Sequence, residues 1–194
     1  AWLINERGFV FYRDIFELNF PAPFLFHSLL GQCFGYAALP LRFVDFALLS
    51  LLGVTTWKIL APLSRASAVY AFSLFTLIYL INGGEFVLER DYLGILPAAA
   101  AFYFLSASTH VATPHWRAAI AGVLCALACS MKPNFVVMVP VLVWMMLRTH
   151  SQKNMSKLGV FFISALCSAA VPFIWVIQQG GLDGAVEHIT LQGL

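Results

Sequence analysis

Charge is what this sequence has least of. Of its 194 residues, 10% are Asp, Glu, Lys or Arg, against about 25% in an ordinary soluble domain. Hydrophobic types supply 61%, and the mean hydropathy is +0.85. A soluble globular enzyme is excluded by the missing charge, and a disordered chain by the apolar excess. The net charge is only +2 and no run of like charges occurs, so the clustered basic face of a nucleic-acid binder is missing. Cysteine is scarce as well. Cys125, Cys129 and Cys167 lie inside apolar runs, Cys125 and Cys129 have no His or further Cys at ligand spacing, and with Cys33 they suggest no disulfide framework. Ser/His/Asp order, P-loop, HExxH, CxxC and DxD are all absent.

What is present is a series of apolar runs. A transmembrane helix needs about 20 mostly apolar residues. Residues 1–38 do not fit: they carry Glu6, Arg7, Arg13, Asp14 and Glu17, then Pro21 and Pro23. Within them, 24–36 reads as a short interfacial helix stopped by Gly35. Spans are expected at 39–62, 66–82 and 93–109. Residues 116–147 form one apolar stretch broken at Lys132-Pro133-Asn134. Each arm there has about 14 strictly apolar residues, roughly 21 Å of helix, which suits two short or tilted spans, with a re-entrant hairpin left open. A last span is expected at 158–177, before a polar stretch over 178–194. The expected fold class is all-α: a polytopic transmembrane helical bundle of about six spans plus a juxtamembrane helical loop. It forms one transmembrane domain, with 1–38 as first non-cytoplasmic loop, 39–177 as spans and 178–194 opening a further non-cytoplasmic loop. The chain opens at Ala1 with neither Met nor a basic, cleavable leader, so an internal piece of a longer membrane protein is expected.

Threading six spans sorts the charges onto two sides. One side holds all nine acids and five bases (Arg7, Arg13, Arg42, Arg90 and Lys132), a net of −4. The other holds Lys58, Arg65, Arg117, Arg148, Lys153 and Lys157 with no acid, a net of +6. Lys and Arg favour cytoplasmic loops, so the +6 side is expected to be cytoplasmic. Trp57, Trp116 and Trp144 fall near that boundary and Trp175 near the other, as in an aromatic belt.

Three groups on the acidic side could do chemistry. Asp14 and Glu17 are three apart and would share a face of a helical turn, with Arg13 pointing elsewhere; a solvated juxtamembrane loop is the plainer alternative. Glu85, Glu89, Arg90 and Asp91 form the second, in which Glu89 and Asp91 could ligate a divalent cation as hard oxygen donors, or simply mark a charged helix boundary. Lys132 stands between two apolar arms with no acid near it in sequence. It suits an anionic headgroup or phosphate, or is a lysine reaching to the interface from a helix end. Asp183, Glu187 and His188 could share one amphipathic turn.

These residues resemble a known family. Gly8, Tyr12-Arg13-Asp14, Glu17, Asn19, Pro21, Pro23, Phe34-Gly35 and Leu41-Arg42-Phe43-Val44-Asp45 resemble the first non-cytoplasmic loop of GT-C-type membrane glycosyltransferases. That family includes the dolichyl-phosphate-mannose–protein mannosyltransferases and their bacterial relatives. Glu89-Arg90-Asp91-Tyr92-Leu93 is similar to the relatives' Arg-Glu-x-Leu step, and Gly122 followed by Lys132-Pro133 to their Gly…Lys-Pro hairpin. Ala22 separates prolines that are adjacent in the family, and the usual catalytic acid is expected upstream of Ala1. The resemblance implies inverting transfer of a sugar from a polyprenyl-phosphate donor to a lipid, glycan or protein hydroxyl. It also implies a bacterial inner membrane with a periplasmic active face, and no nucleic-acid partner. Asp14 and Glu17 would then position acceptor or sugar as the catalytic candidates. Arg13, Asn19, Glu89, Arg90, Asp91 and Lys132 would bind substrate, with Arg90 or Lys132 on the phosphate; no cofactor is certain, and a divalent metal stays open. A transporter or flippase, and a non-catalytic membrane subunit, are the alternatives.

Overall fold

The computed structural model describes residues 1–15, 20–81, 87–106, 114–148 and 154–181, with Val186; Arg90 and Asn154 are described by backbone alone. Among the described residues every regular element is a helix. In chain order these are α1 (Trp2–Arg7), α2 (Ala22–Phe34), α3 (Ala38–Leu60), α4 (Arg65–Ile81), α5 (Arg90–Ser106), α6 (His115–Met131), α7 (Val139–Leu147) and α8 (Asn154–Gln178), with a 3-10 segment (Pro133–Met138) between α6 and α7.

The breaks follow local chemistry. Gly8 ends α1 at φ 66°, and Gly35 ends α2 at φ 72°, both in the left-handed region that glycine tolerates without a Cβ clash. Pro133 follows Lys132, which is extended at φ −146° and ψ 120°. A residue before proline is driven out of the helical region in this way, so α6 must stop there. The helices at 22–34, 38–60, 65–81, 90–106, 115–131 and 154–178 match the expected positions closely.

Length divides them. α3 and α8 are long and apolar enough to cross a membrane, with mean hydropathies of 1.6 and 2.3. Their apolar windows are only 28% and 17% buried, unlike the enclosed core helix of a globular domain. α4, α5 and α6 have 17 residues each, about 26 Å of helix, at the lower edge of the spanning range. α7 has 9. By length and composition, then, two of the six expected spans qualify among the described residues.

α6 is the central helix, flanked by α5 and α8. Its contact face is built from small residues, with Ala118, Ala121, Gly122, Cys125 and Ala128 buried. Small side chains let helix backbones approach closely where no hydrophobic driving force separates helix from solvent. At Gly122 the approach is extreme: a Cβ there would lie 2.3 Å from the Phe161 carbonyl oxygen and 2.3 Å from Ser164 Oγ. Ser164 Oγ donates across the interface to the Ala119 carbonyl at 3.0 Å. Leu105, Leu142, Met146 and Phe161 complete this core.

Gly122→Leu should therefore force α6 from α8 and lower the unfolding temperature in detergent, with overpacking costing about 1–3 kcal/mol or more. Gly159→Leu, where a Cβ meets nothing within 4 Å, should leave it unchanged or higher. Equal effects of the two would refute the close-packed α6–α8 seam.

Candidate functional site

The acidic end of the bundle is built in two layers. The first is the loop after α1. Phe11 is fully buried and packs its ring 4.5 Å from Phe24 of α2 and 6.5 Å from Trp175 of α8. Asn5 ties α1 to α2: its Nδ2 donates to the Ser28 carbonyl at 2.8 Å and the Tyr36 hydroxyl at 2.7 Å, while Ser28 Oγ donates back to Asn5 Oδ1 at 2.6 Å.

Residues 11–15 close into a tight loop instead of a helical turn. Phe11 and Ile15 form an isolated bridge, the Tyr12 amide donates to the Ile15 carbonyl at 3.2 Å, and Tyr12 sits at φ 67°. This changes the expected geometry of Arg13. It does not point away from Asp14; its Nε and Nη2 donate to the two carboxylate oxygens at 3.0 and 2.8 Å. Asp14 Oδ2 also accepts the Val10 amide at 2.8 Å. The Arg13 hydrogen bonds, and then that amide, hold the Asp14 carboxyl below its usual range, and the same pairing raises the guanidinium. As built, Asp14 closes a loop, and acting as a base would require Arg13 to release it. Glu17 and Asn19, together with Glu85, Asp183, Glu187 and His188, lie outside the described residues.

The second layer centres on Asp45, only 1% exposed. The Tyr79 hydroxyl of α4 donates to its Oδ1 at 2.5 Å, and the Leu88 amide approaches the same oxygen at 3.4 Å. The Tyr92 hydroxyl of α5 donates to the Asp45 carbonyl at 3.3 Å. The Tyr79 and Tyr92 rings lie 4.6 Å apart. Leu88 is buried at φ 54°, a strained conformation for a non-glycine residue that persists only where its surroundings hold it. His27 of α2 hydrogen-bonds the Leu88 backbone, and burial lowers its pKa below the ordinary imidazole value. One carboxyl thus gathers α3, α4 and the entry to α5.

That entry positions Asp91. The Leu93 amide bonds the Glu89 carbonyl at 2.9 Å, starting α5, and Asp91 lies in its first turn, where the helix dipole favours a carboxylate. Lys132 Nζ donates to Asp91 Oδ2 and forms an ion pair with it. Lys132 thus has an acid after all, supplied from 41 residues away in sequence. A close approach allows it. Gly94, one turn beyond Asp91, leaves room for the Phe135 ring, whose Cε2 would lie 2.3 Å from a Cβ there. The pair is half-exposed, with side-chain exposures of 33% for Lys132 and 43% for Asp91. Their chain neighbours Met131 and Tyr92 line an apolar cavity of about 580 Å³ between α3, α5 and α6. Glu89 is half-buried, and the Arg90 side chain is outside the described set. Among the described residues no three His, Cys, Asp or Glu side chains converge as a metal site.

Of the expected site residues, the structure joins Arg13 to Asp14 and Asp91 to Lys132 as two separate pairs. Asp45 and Tyr92 entered the sequence reading only as parts of the resemblance motifs and not as site candidates, and Tyr79 and His27 were not singled out. The available signal was an acid inside an apolar run, which is costly unless it has a role.

Asp45→Ala removes the carboxyl oxygen that accepts from the buried Tyr79 hydroxyl and faces the Leu88 amide, and Tyr79→Phe removes one donor. In a double-mutant cycle on unfolding stability, Asp45 and Tyr79 should couple by about 1–3 kcal/mol; additive losses would show that the contact carries no stability. No protein-family model matches this chain, and neither a curated protein nor a solved structure is detectably similar to it.

Proposed function

We propose that this chain belongs to an integral-membrane glycosyltransferase that takes its sugar from a polyprenyl-phosphate donor on the non-cytoplasmic side. The observation that carries this reading is the Asp91–Lys132 pair beside the apolar cavity. A lipid-phosphate donor has two ends of opposite chemistry. Its phosphate suits an ammonium at the surface, and its chain suits an apolar groove within the roughly 300–1,000 Å³ range of ligand pockets. Lys132 offers the first and the cavity offers the second, with Met131 and Tyr92 joining them.

The bilayer setting is supported by the outward faces. Tyr70, Leu74 and Ile81 on α4 and Ile163 and Leu166 on α8 are all at least 60% exposed, and large exposed apolar surface calls for a cover. A lipid environment for all six apolar segments is part of this proposal.

In the mechanism the reading implies, Lys132 exchanges Asp91 for the donor phosphate and offsets charge as the lipid phosphate departs. Asp91 holds the ammonium in place until then. Arg13 and Asp14 shape the first loop over the acceptor, with Glu17 and Asn19 as further contacts. Arg90 is the second phosphate candidate and Glu89 a sugar contact. A transporter or flippase is the competing reading. The buried Asp45 in α3 is the observation in its favour, because transporters carry ionisable groups within their spans; here Tyr79 and Leu88 close it off.

The test measures binding of a short-chain polyprenyl phosphate to the full-length protein in detergent. Lys132→Ala should weaken binding by about tenfold or more, the loss expected for a hydrogen bond to a charged group, with little change in unfolding temperature. Unaltered binding would remove Lys132 from a donor site.

A further inference from the structure

The opposite end of the bundle holds a second cavity, of about 520 Å³, between α3, α5 and α7. Two cations face it. Lys58 lies in the last turn of α3, and Arg148 follows the last turn of α7. The Lys58 ammonium lies 5.7 Å from the Tyr103 ring centre, and the Arg148 guanidinium 5.6 Å from that of Trp144. Rings beside both cations brace their long side chains, and both residues line the same cavity.

Among the described residues no carboxylate lines this cavity. The contrast is with two cations at the other end, each paired with a carboxylate: Arg13 has Asp14, and Lys132 has Asp91. Here two positive charges share a pocket whose remaining lining is mostly apolar, including Ile59, Leu63, Val141 and Met145. A small soluble anion would use the cations and leave that apolar wall wet. A neutral lipid would use the wall and leave the charge without a partner. An anionic lipid matches both.

We propose that Lys58 and Arg148 bind the headgroup phosphate of an anionic glycerophospholipid, with its upper acyl chain against the apolar wall between α3 and α7. The inference rests on the reading that these helices lie in a bilayer, with this end at the cytoplasmic leaflet, where anionic lipids attract basic residues. It concerns a different lipid, and the opposite end of the bundle, from the donor site. Lys58 and Tyr103 line both cavities, so the bound lipid would also brace the wall that they share.

The experiment measures the unfolding temperature of the full-length protein in micelles containing phosphatidylglycerol or phosphatidylcholine, or phosphatidylcholine plus inorganic phosphate. Phosphatidylglycerol should stabilise the unaltered protein most, and inorganic phosphate should add nothing. Its apparent affinity should fall roughly fivefold for each cation lost in Lys58→Gln and Arg148→Gln, and the preference should vanish in the double variant. Both side chains are exposed, so the variants should fold as well as the parent in phosphatidylcholine. Lys132→Ala, at the other end, should keep the preference. Equal stabilisation by the two lipids, a preference that survives in the double variant, or a match by inorganic phosphate would each overturn the inference. A carbonate wash of membranes separates this from failure of the bilayer reading. Release of the protein would defeat both, whereas retention without lipid preference would defeat this inference alone.

Discussion

A carboxyl group in an apolar bundle must be satisfied by what surrounds it, and Asp45 imposes that demand here. Burying an ionisable group without partners costs several kcal/mol. The Tyr79 hydroxyl and the Leu88 amide supply the partners, and both come from outside α3. Meeting the demand therefore fixes α4 against α3 and pins the strained Leu88 just before α5 begins. The start of α5 then sets where Asp91 stands, and Gly94 lets Phe135 and the Lys132 hairpin close over it. The surface ion pair is the last link of a chain that begins with one buried oxygen.

The two ends differ in which contacts predominate, though Arg7 lies over Trp2 at the acidic end and His115 meets Ser156 at the basic end. At the acidic end, polar groups meet each other: Asn5 with Ser28 and Tyr36, Arg13 with Asp14, Asp45 with Tyr79, Asp91 with Lys132. At the basic end, Lys58, Arg117 and Arg148 lie over aromatic rings. These contacts each join residues that the charge distribution assigns to the same end. A site that must release a cation to a substrate phosphate is better served by a half-exposed ion pair than by a fully buried one, since exposed pairs are individually weak.

Helix positions were legible because proline, glycine and apolar run length act locally. Pro133 forces Lys132 out of the helix, Gly35 stops α2, and the long apolar runs 39–62 and 158–177 mark α3 and α8. Span count was less legible. Six apolar runs gave six helices at the expected places, but among the described residues α4, α5 and α6 have 17 residues, close to the minimum, and only α3 and α8 clear it. The site was harder still. Lys132 looked solitary because its acid is far along the chain, and Asp45 looked like a charge at the mouth of a span because Tyr79 and Leu88 are 34 and 43 residues away. Arg13 was assigned a direction by assuming a helical turn, whereas the left-handed Tyr12 turns the loop and sends the guanidinium to Asp14. Non-local pairing and a single unusual backbone angle leave no periodic trace in a sequence.

The proposed orientation puts the acidic and basic ends on opposite faces of a membrane, the basic one cytoplasmic. Site-directed thiol labelling tests it, in a background with Cys33, Cys125, Cys129 and Cys167 replaced. Arg13→Cys and Glu89→Cys should react with a membrane-impermeant maleimide from the non-cytoplasmic side of sealed vesicles, and Arg65→Cys and Arg148→Cys only after permeabilisation. Labelling of both sets from one side would contradict it.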